Sequence, residues 1–506
     1  MTAVCLLVAM AFFDIGASTA SVTLAETTTP PVTTITPKGS PLTMLPPEPP
    51  RTEPNPASDF TYTISGDSVT ITGYKGPVGD VVIPGKIEGK TVTSIGDQAF
   101  WGHGYTLTRM TIPEDVTSIG EGAFSGCGAM VSLNLPDGLI SIGRQAFSGC
   151  GSLTTITIPN SVTMIDDYAF SGCYVLTSIK IPNGITSISG NAFSYCAALT
   201  SIILPDGLVD IGWGAFFGCR SLTSIIIPDG VTNIGSSAFQ DCTALTNVIF
   251  PCSLVSIGNN AFQECVNLTS INIPNGVTSI GSYAFRDCSS LAKAIIPNSV
   301  TALGYYAFQG CESLTSVVLS DGLVSIGGNA FQGCVSLTSI IIPDSVTTIG
   351  PEVFRDCNSL TNIIIPGSIT NIDSFAFSGC SSLTSVKILD GVTNIGRGSF
   401  HACSNLTDIT IPSSVTDIDI LAFSGSYNFT VTCPPNSYAH QYCLDSDISF
   451  QLTEPMSTTP SVITTDQGID GDRESFVNQL LWIGGAVLAG FAVIAAIVWN
   501  RRRNLR

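Results

Sequence analysis

Apolar and polar positions through the middle of the chain recur with a fixed period. Phe100, Phe124, Phe147, Phe170, Phe193, Phe216, Phe239, Phe262, Phe285, Phe308, Phe331, Phe354, Phe377, Phe400 and Phe423 form one series, with a first gap of 24 residues and every later gap of 23. A period in this range signals a solenoid, whose units have no core of their own and bury their apolar faces only by stacking. Leu222, Ile225 and Ile227 alternate inward at the end of a short strand. Pro228 ends that strand because it lacks a ladder donor, and Asp229-Gly230 supplies a turn. Val231 and Ile234 begin the next wall, Gly235 permits a tight corner, and Ala238-Phe239 drives a ring into the core from a short helical or 3-10 turn. The predicted fold is a β-rich solenoid with a parallel sheet on one face. At about 4.8 Å per strand, its coils would stack into roughly 65–70 Å of sheet.

Written out, the unit is Leu-x-x-Ile-x-Ile-Pro-x-x-Val-x-x-Ile-Gly-x-x-Ala-Phe-x-x-Cys. Its first part matches the leucine-rich strand signature, with Ile in the later Leu places. The whole pattern closely resembles the BspA-type (treponemal-type) leucine-rich repeats of bacterial and protist surface proteins, over about residues 59–451. The segments Phe60-Thr-Tyr-Thr-Ile, Val69-Thr-Ile-Thr-Gly-Tyr74 and Val82-Ile-Pro84 resemble that family's opening cap. Read by themselves, they are alternating strands able to cover the first repeat's open edge. Tyr427 to Cys443 resembles its closing cap. The resemblance implies an extracellular, ligand-binding or adhesive role and no catalysis. Departures are few: Ser320 and Leu389 replace the Pro, and Asp166, Ser189, Asp373 and Asp419 replace the corner Gly.

The ends set the expected topology. An apolar run from Ala3 to Phe13, followed by Ala17-Ser-Thr-Ala20, matches a signal peptide over residues 1–20, although a basic leading segment is absent. Leu480 to Trp499 carries no charge, so one transmembrane helix is expected over 477–500. Arg501, Arg502, Arg503 and Arg506 follow it and would hold the tail 501–506 in the cytoplasm. The expected protein is therefore anchored in the membrane by one helix, of type I with its N-terminus outside, at the cell surface. Thr/Pro-rich residues 21–57 and the stretch 452–476 would act as extended spacers. Between them lie an N-terminal β cap (58–98), the repeats (99–425) and a C-terminal cap (426–451).

Composition narrows the chemistry. Only 11% of residues are charged, against roughly a quarter in an ordinary domain. The net charge is −19 with 19 Lys and Arg, which argues against a nucleic-acid partner. Thirteen of the 17 Cys stand three residues after a Phe of the series, from Cys127 to Cys403. Stacked coils would align them with parallel Cβ vectors, which disfavours disulfides and favours buried thiols donating S–H to a neighbouring carbonyl. Cys433 and Cys443 lie outside that column and form a candidate disulfide of the end cap. His103, His401 and His440 are expected at the surface, and His401-x-Cys403 has no second ligand pair at zinc spacing. Gly85-Lys-Ile-Glu-Gly89-Lys90-Thr91 misses the phosphate-loop spacing by one. No nucleophile elbow or His-Glu-x-x-His occurs, so neither catalysis nor a cofactor or metal is expected. Asn267, Asn405 and Asn428 are candidate glycosylation sequons.

One outward row attracts attention. The residue between the last two Ile of each strand points away from the core, and read every 23 residues it is polar at both ends of the array. In the middle it is Ile203, Ile226, Ile249, Asn272, Ile295, Val318, Ile341 and Ile364. Such a stripe exceeds what monomers usually expose, and is a candidate surface for an extracellular or host protein ligand or another copy of the chain. The same row would also arise if β-branched residues merely suited parallel strands, leaving a structural coat or spacer with no specific ligand. The outward rows mix Lys, Asn and Ile, so no uniform Thr lattice for a crystal surface is present.

Overall fold

The fifteen phenylalanines superpose. In the computed structural model, which describes residues 51–453, the rings from Phe100 to Phe423 stack with centroids 5.0–5.7 Å apart and planes within 17° of parallel. All fifteen are buried, alongside the columns of Leu, Ile, Val, Ala and Cys that the unit repeats. A parallel offset stack lets each ring contact both neighbours, so adjacent coils hold each other in register.

Each coil adds to two parallel sheets, where one was expected. The first sheet takes the residues before the Pro: Ser224–Ile226 pairs in register with Asn247–Ile249. The second takes two-residue strands ending at the Ile before the corner Gly, and runs as one eight-stranded ladder from Ser187–Ile188 to Thr348–Ile349. The first ladder is the less continuous of the two. It breaks into shorter pieces, with single bridges at Thr155↔Ser178, Ser270↔Lys293 and Ser316↔Ser339.

The third side holds no helix. Gln145, Phe147 and Gly149 donate their N–H groups forward to the carbonyls of Asp167, Ala169 and Ser171 in the next coil. Ala146, Ser148 and Cys150 instead donate back to Gly143, Gln145 and Phe147 of their own coil. This alternation requires left-handed backbone two residues before and two after the Phe, at φ 56° in Gln145 and 71° in Gly149. The expected short helical turns are thus a staircase of tight turns, because every second N–H is used between coils. Among the described residues, the helices are the 3-10 turn Ala57–Asp59 and the α-helix Tyr438–Asp445.

The corner glycine also has a different role from the one expected. Gly235 is not left-handed; a Cβ there would lie 2.6 Å from the backbone carbon of Gly212. Its bareness permits coil-to-coil contact rather than a special turn. Where Ser189 replaces it, the hydroxyl donates to the Ile165 carbonyl at 2.6 Å.

Both ends of the stack are closed. Phe60–Ser65 and Ser68–Tyr74 form an antiparallel hairpin, and the second of these strands pairs in parallel with Lys90–Ile95. The Tyr74 ring stands 5.6 Å from Phe100 and 5.3 Å from Phe60. At the other end Thr430–Cys433 extends the first sheet and is followed by the helix and by Ser449–Leu452, parallel to it. Ser437 caps that helix by accepting the His440 N–H. Phe429 covers Phe423 at 5.1 Å.

Among the described residues no helix is long and apolar enough to cross a membrane. The signal segment 1–20, most of the spacer 21–57, nearly all of the stretch 452–476, the apolar run 477–500 and the tail 501–506 lie outside the described residues.

Candidate functional site

The alternation of each short strand decides what the first sheet displays. In Ser224–Ile226, Ile225 points into the core and Ser224 and Ile226 point out. In-register pairing brings Ile226 beside Ile249 and Ile295 beside Val318, and the 23-residue repeat continues the position through the coils between and beyond them. Ile203, Ile226, Ile295, Val318, Ile341 and Ile364 are 49–68% exposed. Ile249 is half-buried and Asn272 is exposed. Lys180, paired with Ile203, and Lys387, paired with Ile364, close the row at its two ends, and both are exposed. The eight residues singled out from the sequence thus form one row on one face. Exposed Ser201 and Ser224 border it on one side, and exposed Asp206, Asp229 and Asp321 lie on the turns at the other.

One feature of this face was not visible in the period. Arg51, Asp80 and Arg109 meet at its N-terminal end around a cleft of about 250 Å³. Arg109 pairs with Asp80 at 3.3 Å, and Thr108 donates to the same carboxylate at 2.9 Å. Burial opposes ionisation of Asp80, but hydrogen bonds from Thr108, the Arg51 backbone and Arg109 hold it below the usual carboxylate range. Arg51 and Asp80 precede the repeats, so no 23-residue column could have assembled them.

The cysteine column is a hydrogen-bond ladder. Each of the thirteen thiols is free and buried. Cys150 donates to the Phe124 carbonyl at 3.3 Å and Cys265 to Phe239 at 3.2 Å, the Phe of the preceding coil in each case. Burial pushes the thiols of Cys196 and Cys334 up to about 12. Such groups are poor nucleophiles and poor metal ligands, since both roles need the thiolate. Among the described residues no group of three or more His, Cys, Asp or Glu is arranged to hold a metal ion.

The remaining candidates fall as follows. Cys433 and Cys443 are both buried and both free, which corrects their pairing as a disulfide. Cys433 ends a strand and Cys443 sits on the buried side of the helix, where each fills apolar space, and burial together with the neighbouring Cys433 lifts Cys443 to about 12. Asn267, Asn405 and Asn428 are exposed; the Asn267 amide donates to the Thr243 carbonyl at 2.8 Å. The histidines are half-buried and bonded within the protein rather than free at the surface. His103 stands where later coils have Cys, with Nε2 3.0 Å from the Tyr74 carbonyl. His401 contacts Ser424, and His440 accepts the Asn436 N–H.

The repeat fold recurs in known proteins. A leucine-rich repeat protein of Bacteroides ovatus is 31% identical with a TM-score of 0.66, the match covering 74% of this chain and 98% of that one. A leucine rich cell surface protein of Faecalibacterium prausnitzii is 33% identical with a TM-score of 0.48, covering 67% and 95%. No curated protein matches the chain. The family model of the BspA type leucine rich repeat region matches residues 93–222, 186–315 and 301–430. With nearly the whole repeat array so matched, the chain belongs to the BspA-type leucine-rich repeat family.

Proposed function

We propose that this is a cell-surface protein that binds another protein through the outward row of its first sheet, as an adhesive module rather than an enzyme. The observation that carries this reading is the exposed aliphatic run from Ile203 to Ile364. Strand preference alone accounts for it poorly. Thr is β-branched too and occupies the same position in other coils, at Thr111, Thr157 and Thr410, where it satisfies the strand without exposing an apolar surface. The partner is an extracellular or host protein, or a second copy. The apolar runs near the two chain ends support secretion and a single membrane anchor with the repeats outside. In that compartment the exposed Asn267, Asn405 and Asn428 would be available for glycans.

The low charge and near-identical coils also favour a second reading, a rigid surface coat with no ligand. Screening the purified full-length protein against extracellular-matrix proteins and host cells separates the two. Saturable binding to one of them supports adhesion; uniform absence of binding, with no self-association, supports the coat.

A further inference from the structure

The corner beside the second sheet carries a trough that the binding row does not use. The residue after the corner Gly forms its own column, and through five successive coils it is Ser282, Tyr305, Gly328, Pro351 and Ser374. At Gly328 the column has no side chain, and Gly327 before it is bare as well. Pro351 packs close over Gly328, where a Cβ would lie 3.1 Å from its ring, and beside this contact runs a trough of about 550 Å³ lined by both Tyr305 and Pro351. Tyr305 is 60% exposed and makes no ring contact among the described residues. Its neighbour Tyr306, by contrast, is stacked on Tyr283 at 4.7 Å, and Arg286 lies 5.6 Å over the Tyr283 ring. Tyr305 is therefore an exposed, unstacked aromatic ring on the wall of the trough.

The polar lining narrows the ligand. Thr347, Thr348 and Asn371 are exposed along the trough, and Asp373 stands half-buried at its end. No Lys or Arg lines it, so a phosphate, sulfate or carboxylate would find no counter-charge. One carboxylate among hydroxyls and an amide is too little charge to select a cation. An open aromatic plate surrounded by hydroxyl, amide and carboxylate groups suits a molecule with an apolar C–H face and a rim of hydroxyls. We propose that this trough is a site for a neutral oligosaccharide, with one pyranose ring lying on Tyr305 and the sugars that follow it along the stack bonded through their hydroxyls to Thr348, Asn371 and Asp373. It shares no residue with the aliphatic row, so it stands or falls independently of the protein-binding reading.

The test uses the purified full-length protein and a panel of neutral glucose-, galactose- and mannose-based oligosaccharides, with binding read by saturation-transfer NMR. At least one sugar is expected to bind through its C–H face. Tyr305→Ala should weaken that binding by about tenfold or more. Thr348→Trp, placed on an exposed strand position, should block it by filling the trough while the chain stays folded by circular dichroism. Tyr105→Ala removes a ring that is 94% exposed but lies outside the trough, and should leave binding unchanged. Absence of binding by any sugar in the panel overturns the proposal. So does binding that survives both trough substitutions, or that falls equally in Tyr105→Ala.

Discussion

Ser426 donates its hydroxyl to the Phe400 carbonyl at 2.7 Å, in the place where the thirteen coils before it use a Cys thiol. At the opposite end His103 reaches the Tyr74 carbonyl from the same position. Three chemically different side chains thus bond a carbonyl of the preceding layer from one position, so what that position requires is a hydrogen-bond donor rather than sulfur chemistry. Replacing Cys265 by Ala should destabilise its coil by about 1–3 kcal/mol, through a lost hydrogen bond and a small void. Cys265→Ser should cost clearly less. Amide hydrogen exchange in the coils on either side would read both effects.

The same column makes the protein sensitive to base. Burial lifts the folded thiol of Cys196 to about 12 and also raises those of Cys173 and Cys265 well above the roughly 8.5 of an unfolded Cys. A group whose folded value is raised stays protonated in the fold and loses its proton first in the unfolded chain. Its contribution is complete below pH of about 8.5 and falls by about 1.4 kcal/mol per thiol for each further pH unit, up to the folded value. Denaturant midpoints measured from pH 7 to 10.5 should be flat at first and then drop steeply. Thiol reagents at pH 8 should leave the column unlabelled until the chain unfolds.

Two small substitutions should act in opposite directions. Gly235→Ala places a methyl group 2.6 Å from the Gly212 backbone, which cannot withdraw without separating coils, and should cost about 1–3 kcal/mol. Ser399 stands fully buried in the column that is Ala in most coils, and its hydroxyl has no partner. Ser399→Ala removes that unsatisfied group and should stabilise the protein by about 1 kcal/mol. Thermal unfolding of the two variants beside the parent checks both signs.

The aromatic stack should hold through to its last ring. Phe262 lies between Phe239 at 5.2 Å and Phe285 at 5.4 Å, so Phe262→Ala removes ring contacts on both sides and should cost about 3–5 kcal/mol. Phe423 also has a ring on each side, Phe400 at 5.5 Å and Phe429 at 5.1 Å, so Phe423→Ala should cost about as much. A clearly smaller loss at Phe423 in denaturant unfolding would show that the cap ring holds the stack less firmly than a repeat ring does.

Much of this was legible from residue types alone. Leu222, Ile225, Ile227 and Phe239 are inward because their spacing leaves them no other common face, and Ile226 is outward because it alternates with them. The second sheet was not legible, since its strands, such as Asn233–Ile234, are two residues long and too short to show a period of two. Nor were the left-handed positions. They are held by Gln145, Tyr168, Asn260 and Glu352 as well as by glycines, and therefore leave no compositional mark. Gly235 was assigned to a turn because a neighbouring coil's backbone, which is what requires it, lies 23 residues away in the chain. The Tyr305 trough is lined by residues of several successive coils, from Ser282 to Asp373, a relation visible only once the coils are stacked.

The claim that matters most for function is that the outward aliphatic row binds a protein. The most direct test changes Ile226, Ile249, Ile341 and Ile364 together to Thr, the residue already present at this position in coils nearer the ends. Because these side chains point away from the core, thermal unfolding should stay within about 2 °C per substitution of the parent, as for exposed sites in a chain of this size. The account predicts that ligand binding or self-association falls at least tenfold in this folded variant. Binding unchanged from the parent, with the fold intact, would contradict it.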